Sequence, residues 1–246
     1  MTPWSTRGLG IRHPARAFFK ALVEITARSA TRGMKLYGTP PTRALRVLWL
    51  LNELDIECEI VTVDMGAAEH LGPAFLALNP AGKLPVLVDG DLVLTESSAI
   101  QLYLAESRPD SGLIPRALAD RAQMYRWLFF LVTEIEPPLW RIALHTRIYP
   151  EVERLPQEVS LAQRDCKRML AVLEKHLKTR RFLVGEQLTV ADLNAAFTLD
   201  WAHEEGLLAD SPRLQQFLET MYARPKAPVT IAQGFAAIMG SPGLTA

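Results

Sequence analysis

Two neighbouring segments of this chain combine residue types that are suited to holding a small polar ligand. The first is Asn79–Pro85, which contains a glycine, Lys83 and two prolines. The second is the pair Glu96 and Ser97, which places a carboxylate beside a hydroxyl. A few polar groups of this kind, held on a rigid backbone, are what fixes the orientation of a ligand in a cleft.

The pattern around these segments predicts a hairpin followed by a helix. Val86–Val88 and Leu92–Thr95 are short apolar runs separated by an Asp-Gly-Asp turn. A helix is expected from about Ser98 to Glu106, with Ser97 as its N-cap. Glu96 would then lie where a strand ends and a helix begins. Free backbone N–H groups and the positive end of the helix dipole favour a carboxylate at such a position.

Pro85 marks a special position in this segment, because a proline cannot donate a hydrogen bond to a sheet. We expect an edge or an irregular backbone there, and the Leu84–Pro85 bond is a candidate for the cis form. An ordinary hairpin with a capped helix explains the same residues. The residues alone leave both interpretations open.

The elements that would position these segments form an α/β unit. A strand over Met34–Gly38 leads into a Thr-Pro-Pro-Thr turn, and Thr42 is the expected N-cap of a helix that begins at about Arg43. A second strand is expected over Glu57–Val63 and a short helix over Pro73–Leu78. A helical crossover makes the first two strands parallel.

The second half of the chain is helical in pattern. The turn-rich stretch from residue 107 to 115 is the best domain boundary. One helix is expected over about Ala117–Ile135, with a kink or break at Pro137 and Pro138, and another over about Pro156–Lys178. The predicted units are residues 34–108, a linker 109–116, a helical domain 117–236 and a tail 237–246.

The segment Leu188–Leu193 carries the clearest local signal in this half. Thr189 at the N-cap and Asp192 at the third helical position can each satisfy a free amide of the other, which defines a capping box. We predict that both residues are structural. The helix is expected to end near Gly206.

Composition excludes several classes of protein. The 246 residues include 27 basic and 27 acidic side chains, so net charge gives no reason to expect nucleic acid as a partner. The two cysteines do not form a disulfide framework. The five histidines show no metal-like spacing, so we predict no metal site. No apolar run approaches the ~18 residues of a membrane span.

Residues 1–33 form a basic extension in which six Arg or Lys residues accompany only Glu24. They could be an amphipathic targeting peptide. The interpretation we favour is that the functional protein begins at Met34, with the extension non-native or disordered, because no apolar core of a secretory signal is present.

The segment from Met34 to about Arg108 resembles the N-terminal domain of cytosolic glutathione transferases, and it is most similar to theta-like bacterial members. The resemblance rests on Asn-Pro-x-Gly-Lys-x-Pro followed, in the right order, by Glu-Ser. It implies a thioredoxin-like α/β domain followed by an all-α C-terminal domain. It also implies that Pro85 is a cis-proline, that the backbone of Leu84 pairs with the cysteinyl part of glutathione, and that Glu96 and Ser97 bind its γ-glutamyl end.

The resemblance also indicates where the catalytic group lies. Theta-like enzymes place a serine four residues before a helix arginine, and counting back from Arg46 gives Thr42. Threonine keeps the hydroxyl donor but adds a methyl group and a stiffer χ1. Thr42 is therefore either the catalytic residue or only an N-cap. Thr39 is the second candidate.

His70 and Lys83 are the expected partners of the glycyl carboxylate, with a solvated loop residue as the alternative for His70. The electrophile pocket is expected between the domains, beside the first helix of the helical domain. That helix carries a group of aromatic residues in which the sequence does not separate pocket from core: Tyr125, Trp127, Phe129 and Phe130.

The predicted function is a cytoplasmic, homodimeric detoxification enzyme in which the thiolate of glutathione, a co-substrate, attacks small hydrophobic electrophiles. The alternative is a catalytically silent binding protein of the same fold. The change from Ser to Thr at position 42 keeps that alternative open.

Overall fold

The structure is a computed structural model that describes residues 33–239. The predicted N-terminal extension, except Gly33, and the last seven residues of the predicted tail lie outside the described residues. In the described part of the chain, no helix is both long and apolar enough to cross a membrane.

The N-terminal unit is a four-stranded sheet with three helices. The strands have the order β2-β1-β3-β4, with β1 and β2 parallel and the other neighbours antiparallel. This is the thioredoxin-like arrangement that was predicted. The elements are β1 Lys35–Tyr37, α1 Ala44–Glu53, β2 Glu59–Val61, α2 Pro73–Leu76, β3 Val86–Asp89, β4 Leu92–Leu94 and α3 Ser97–Glu106.

Apolar spacing explains how these elements pack. Leu36 of β1 and Leu87 of β3 are fully buried, as are Trp49 and Leu50 of α1. Ile100 and its neighbour one turn on in α3 complete the same core. Burying such side chains contributes about 1.5–3 kcal/mol each, so the helices are held against the sheet mainly by this face.

The C-terminal unit is a helical bundle around one central helix, α7, in which twelve of fifteen residues are buried. A helix that is apolar on nearly all sides belongs in the middle of a bundle. The helices are α4 Leu118–Phe130, α5 Glu136–Ala143, α6 Pro156–Leu177, α7 Val190–Glu204, α8 Pro212–Tyr222 and α9 Ile231–Met239.

The helix predicted over residues 117–135 is shorter than expected. It ends at Phe130, and a wider π-helical turn, Leu131–Ile135, connects it to α5. Pro137 and Pro138 lie in the first turn of α5, where a missing N–H leaves no hydrogen bond unmade. The prolines therefore start a helix rather than break one, and the irregular turn precedes them.

The capping box at the start of α7 has more partners than the sequence predicted. The Asp192 carboxylate accepts the N–H of Thr189 at 2.8 Å and its hydroxyl at 2.8 Å. It also accepts the N–H of Leu183 at 2.7 Å. Asp192 is fully buried. It therefore ties the loop before α7 to the first turn of the helix.

Replacing Asp192 with alanine is expected to lower the free energy of unfolding by about 1–3 kcal/mol. The loss combines a removed cap with buried amides that have no acceptor. Thermal unfolding of Asp192→Ala measures it, with the exposed Asp210→Ala as a matched control. Equal melting temperatures for the two variants would rule out this role.

Burial also raises the pKa of Asp192 to about 6, although its hydrogen bonds oppose the shift. An unfolded aspartate titrates near 3.9, so between these values the folded state binds a proton that the unfolded state does not. Stability from this group therefore rises as pH falls. From pH 7 to pH 5, wild type should gain about 1 kcal/mol relative to Asp192→Asn. A constant difference in chemical denaturation at the two pH values would contradict the shift.

Candidate active site

Three loops meet at one end of the strands, where β1 and β4 end and β3 begins; we call this end the sheet edge. Tyr37 at the end of β1 is paired with Val86 at the start of β3, and Leu87 is paired with Leu94 at the end of β4. The turn after β1, the segment before β3 and the turn after β4 therefore lie side by side. These loops carry the sequence-predicted groups Thr42, Leu84, Pro85, Glu96 and Ser97.

The turn after β1 is packed closely against α1. At Gly38, a Cβ atom would lie 2.5 Å from the Cβ of Ala44, so only glycine fits there. Thr39 donates its hydroxyl to the carbonyl of Val63 at 2.5 Å and accepts the Val63 N–H at 3.2 Å. Because its hydroxyl holds the turn to the chain after β2, Thr39 is a structural residue of this turn.

Thr42 is half-buried next to the start of α1. The predicted N-cap assignment is wrong by one residue, since Arg43 takes that position with a helical backbone. The Thr42 N–H donates to the Thr39 carbonyl at 2.9 Å, and this hydrogen bond closes a tight turn just before the helix. The Thr42 hydroxyl still accepts the N–H of Ala44 at 3.3 Å. Its proton has no acceptor among the described residues, so it is free to donate to a ligand.

Ser97 does not cap α3, contrary to the prediction. It is the first residue of the helix, and Glu96 takes the N-cap position. The buried Ser97 hydroxyl instead accepts the Arg46 Nε–H at 2.9 Å. A hydroxyl that accepts one bond can still donate its own proton. The arginine therefore orients Ser97 as a donor at the N-terminus of α3.

Glu96 is exposed and has φ 64° and ψ 106°, a backbone conformation that residues other than glycine rarely adopt. Such conformations cost about 1–3 kcal/mol and are concentrated at functional sites. The conformation leaves the Glu96 carboxylate at the surface beside Ser97.

The segment before β3 is held by its own side chains. The amide group of Asn79 donates to the Lys83 carbonyl at 2.7 Å and accepts the N–H of Ala81 at 3.1 Å. The Leu84–Pro85 peptide bond is cis. Lys83 itself is exposed. The segment thus presents a backbone bend and a free ammonium group at the same edge.

His70 lies against this segment. At Gly82, which has φ 62°, a Cβ atom would lie 3.2 Å from the His70 carbonyl and 3.0 Å from Leu71. Because Gly82 has no side chain, the segment before β3 can contact the loop that carries His70. The His70 Nδ1 is buried and has no hydrogen-bond partner among the described residues. Unpaired buried nitrogens are rare, so this atom is a candidate to contact a ligand or a water.

A buried polar network lies behind the site, and sequence reasoning missed it. Arg46 contacts Glu136 Oε1 at 2.5 Å and Asn194 Oδ1 at 2.7 Å. Asn194 donates to Ser98 at 2.9 Å and to Gln101 at 3.1 Å. These residues come from α1, α3, α5 and α7. The network therefore joins the two units and positions Ser97 through Arg46.

Glu136 is the anionic centre of this network. It is buried, and its Oε2 accepts the Arg43 Nε–H at 2.6 Å. Burial by itself raises the pKa of a carboxyl, but the charges of Arg46 and Arg43 outweigh it and hold the pKa of Glu136 below its usual range. Glu136 is therefore ionised at neutral pH.

Two aromatic side chains near Arg43 come from helices other than α4, which carries the predicted aromatic group. Trp127 of α4 is 1% exposed and belongs to the core, whereas Phe129 is 66% exposed. Arg43, which follows Thr42, lies close to Trp140 of α5 and Trp201 of α7. No local sequence pattern links these three residues, because Arg43 immediately precedes α1 and the tryptophans belong to α5 and α7.

A separate cleft of about 690 Å³ lies at the other junction between the units, lined by Glu53, Arg108, Arg224 and their neighbours. It shares no residue with the loops that meet at the sheet edge. We therefore place the candidate site by its convergent polar groups rather than by cavity size.

The fold defines a class of two-domain protein, in which a thioredoxin-like unit with a cis-proline packs against a helical bundle. The family pattern "Glutathione S-transferase, N-terminal domain" matches residues 32–106, and "Glutathione S-transferase, C-terminal domain" matches residues 122–225. The chain belongs to the glutathione S-transferase family.

Individual relatives agree with this assignment. Glutathione S-transferase 3 of Zea mays is 34% identical over 209 residues, which cover 81% of this chain and 93% of that protein. The crystal structure of glutathione transferase F7 from Populus trichocarpa has a TM-score of 0.71 at 25% identity, covering 84% of this chain and 99% of the other. A structure of glutathione S-transferase-I bound with lactoylglutathione has a TM-score of 0.69 at 28% identity, covering 83% and 99%.

Proposed function

We propose that this protein is a glutathione transferase that joins the sulfur of glutathione to small hydrophobic electrophiles. The observation that carries the proposal is the convergence of Thr42, the cis Leu84–Pro85 bond and the Glu96-Ser97 pair at one sheet edge. Family membership supports it, as does the ligand of the relative bound with lactoylglutathione.

The two ends of glutathione differ in charge, and the site has groups for both. The Ser97 hydroxyl and the N-terminal amides of α3 suit the γ-glutamyl carboxylate, and the Glu96 carboxylate suits its ammonium group. Lys83 and the unpaired Nδ1 of His70 suit the glycyl carboxylate at the other end. The backbone of Leu84 would pair with the cysteinyl residue between them.

Thr42 would then act on the sulfur. A thiol with a pKa near 8.5 is mostly protonated at neutral pH, so a hydrogen bond from the free Thr42 hydroxyl favours the thiolate. The dipole of α1 acts in the same direction. The thiolate forms a bond to the electrophilic carbon, the leaving group departs with the electron pair, and the thiol proton passes to solvent.

Two measurements test the proposal. The purified chain should be retained on immobilised glutathione and be eluted by free glutathione. It should also accelerate the reaction of glutathione with 1-chloro-2,4-dinitrobenzene above the uncatalysed rate. Absence of both retention and turnover would refute glutathione binding and transfer together.

The second candidate is a catalytically silent glutathione-binding protein. The observation that favours it is the threonine in place of the serine of theta-like members, because the added methyl group restricts the hydroxyl. Retention on immobilised glutathione without turnover of any electrophile would support this candidate. The theta-like assignment, the homodimer, a role in detoxification and the cytoplasmic location stay predictions.

A further inference from the structure

One side chain next to the candidate catalytic residue has no role in the network described above beyond a single hydrogen bond. Arg43 follows Thr42 and donates only its Nε–H to Glu136, at 2.6 Å. Its two terminal amino groups have no hydrogen-bond partner among residues 33–239. About a third of the side chain is exposed. An arginine held by one nitrogen in this way leaves a planar pair of donors available.

Two arginines share one carboxylate at this position. Glu136 carries one negative charge and contacts both Arg43 and Arg46, whose side chain is 2% exposed. Three ionised groups in direct contact therefore leave one positive charge in excess. Arg46 is enclosed by Ser97, Asn194 and Glu136. The carboxylate of Glu96 also acts electrostatically on Arg46. Of the two arginines in this contact, Arg43 is the one that a ligand can reach, because Arg46 is buried.

Two neighbouring indole rings lie close to this charge. The Arg43 guanidinium carbon lies 5.1 Å from the ring centroid of Trp201 and 5.9 Å from that of Trp140. The two rings are 6.4 Å apart and nearly perpendicular. Trp140 is 38% exposed. Its exposed ring offers a surface on which a planar aromatic ligand can pack.

From this arrangement we infer an electrophile subsite that takes planar aromatic rings carrying an anionic group, such as a carboxylate. The ring packs on Trp140 and Trp201, and the anion pairs with the terminal amino groups of Arg43. The subsite spans the two units, because Arg43 precedes α1 while the tryptophans belong to α5 and α7. The inference rests on the proposed transferase function and gives it a substrate class.

The test compares an anionic with a neutral electrophile of the same reaction type. With 4-chloro-3,5-dinitrobenzoate and with 1-chloro-2,4-dinitrobenzene, the thiolate sulfur bonds to the ring carbon that carries chlorine, chloride leaves with the electron pair, and a proton is released. Each kcat/KM is divided by the uncatalysed rate constant with free glutathione. This removes the difference in intrinsic reactivity.

Arg43→Met is expected to lower the normalised kcat/KM for the benzoate by about 10- to 100-fold more than for the neutral electrophile, since a charged hydrogen bond is lost. Arg43→Lys keeps a point charge without the planar fork, so it should retain an intermediate preference. Quenching of tryptophan fluorescence by 3,5-dinitrobenzoate, which has no leaving group, should weaken in Arg43→Met by a similar factor.

Equal losses for both electrophiles would overturn the subsite and assign Arg43 to glutathione or to the fold. The melting temperature of the variant and its retention on immobilised glutathione are the controls. If both are unchanged, a loss of activity does not come from misfolding. If wild type conjugates only the neutral electrophile efficiently, the subsite fails and the transferase survives. If wild type conjugates neither electrophile, the transferase proposal fails first.

Discussion

Thr42→Val is expected to lower kcat for conjugation of 1-chloro-2,4-dinitrobenzene by about 100- to 1,000-fold, with KM for glutathione nearly unchanged. Valine matches threonine in shape and removes only the hydroxyl. Losing one donor to a developing or resident anion typically costs a factor of this size. The Thr42 hydroxyl is the relevant donor because its proton has no acceptor among residues 33–239, whereas the Thr39 hydroxyl is engaged with Val63.

Steady-state kinetics and the pH dependence of kcat/KM measure the effect together. Without the donor, the pKa of the thiol of bound glutathione should return toward its ordinary value. The rise of kcat/KM should therefore occur at higher pH. Thr42→Ser should be at least as active as wild type, since serine keeps the donor and rotates more freely.

The control for Thr42→Val is Thr220→Val, which removes an exposed hydroxyl on α8 that donates only within its own helix. If Thr42→Val retained full activity, the catalytic assignment would be lost. In that case the dipole of α1 would be the remaining group in the site that stabilises the thiolate.

Glu136→Gln is expected to lower the free energy of unfolding by about 3–5 kcal/mol. Glutamine keeps the shape but leaves Arg46, at 2% exposure, without its counter-charge. Removing one partner of a buried ion pair costs this much because the other charge stays buried and unpaired. Urea denaturation followed by circular dichroism measures the loss.

A surface ion pair provides the matched control. Arg141 and Glu158 contact each other at 2.7 Å, but each side chain is about one-third exposed. Glu158→Gln should therefore change stability by no more than about 1 kcal/mol. In a double-mutant cycle with Arg46→Met, the losses at Arg46 and Glu136 should be far from additive, because the two residues form one buried ion pair. Additive losses would show that the pair does not act as a unit.

The same pair predicts how wild type responds to acid. The pKa of Glu136 is depressed in the folded state, so its contribution is fully present above the pKa of an unfolded glutamate, near 4.3, and is lost as pH falls through the folded pKa. Glu136→Gln should lack this acid-dependent loss. The sign is opposite to that at Asp192, whose contribution rises as the pH falls toward 4.

Local patterns in the sequence were sufficient to predict the fold and to propose many of the candidate site residues. The capping box lies within four residues, and the Asn-Pro-x-Gly-Lys-x-Pro segment within seven, so their geometry depends on neighbours that the sequence shows directly. The same holds for the order of strands and helices, which sets a thioredoxin-like topology. Even there, the position of the N-cap shifted by one residue at Arg43 and at Glu96.

The contacts between distant segments became known only from the tertiary structure. Arg46 and Glu136 are 90 residues apart in sequence. Arg43 meets Trp140 and Trp201 only because α5 and α7 pack against the start of α1. The hydrogen bond from Thr39 to Val63 and the role of Ser97 as a partner of Arg46 are contacts of this kind. Local spacing determines which groups a segment can offer, and packing determines which partners consume them and which remain free for a ligand.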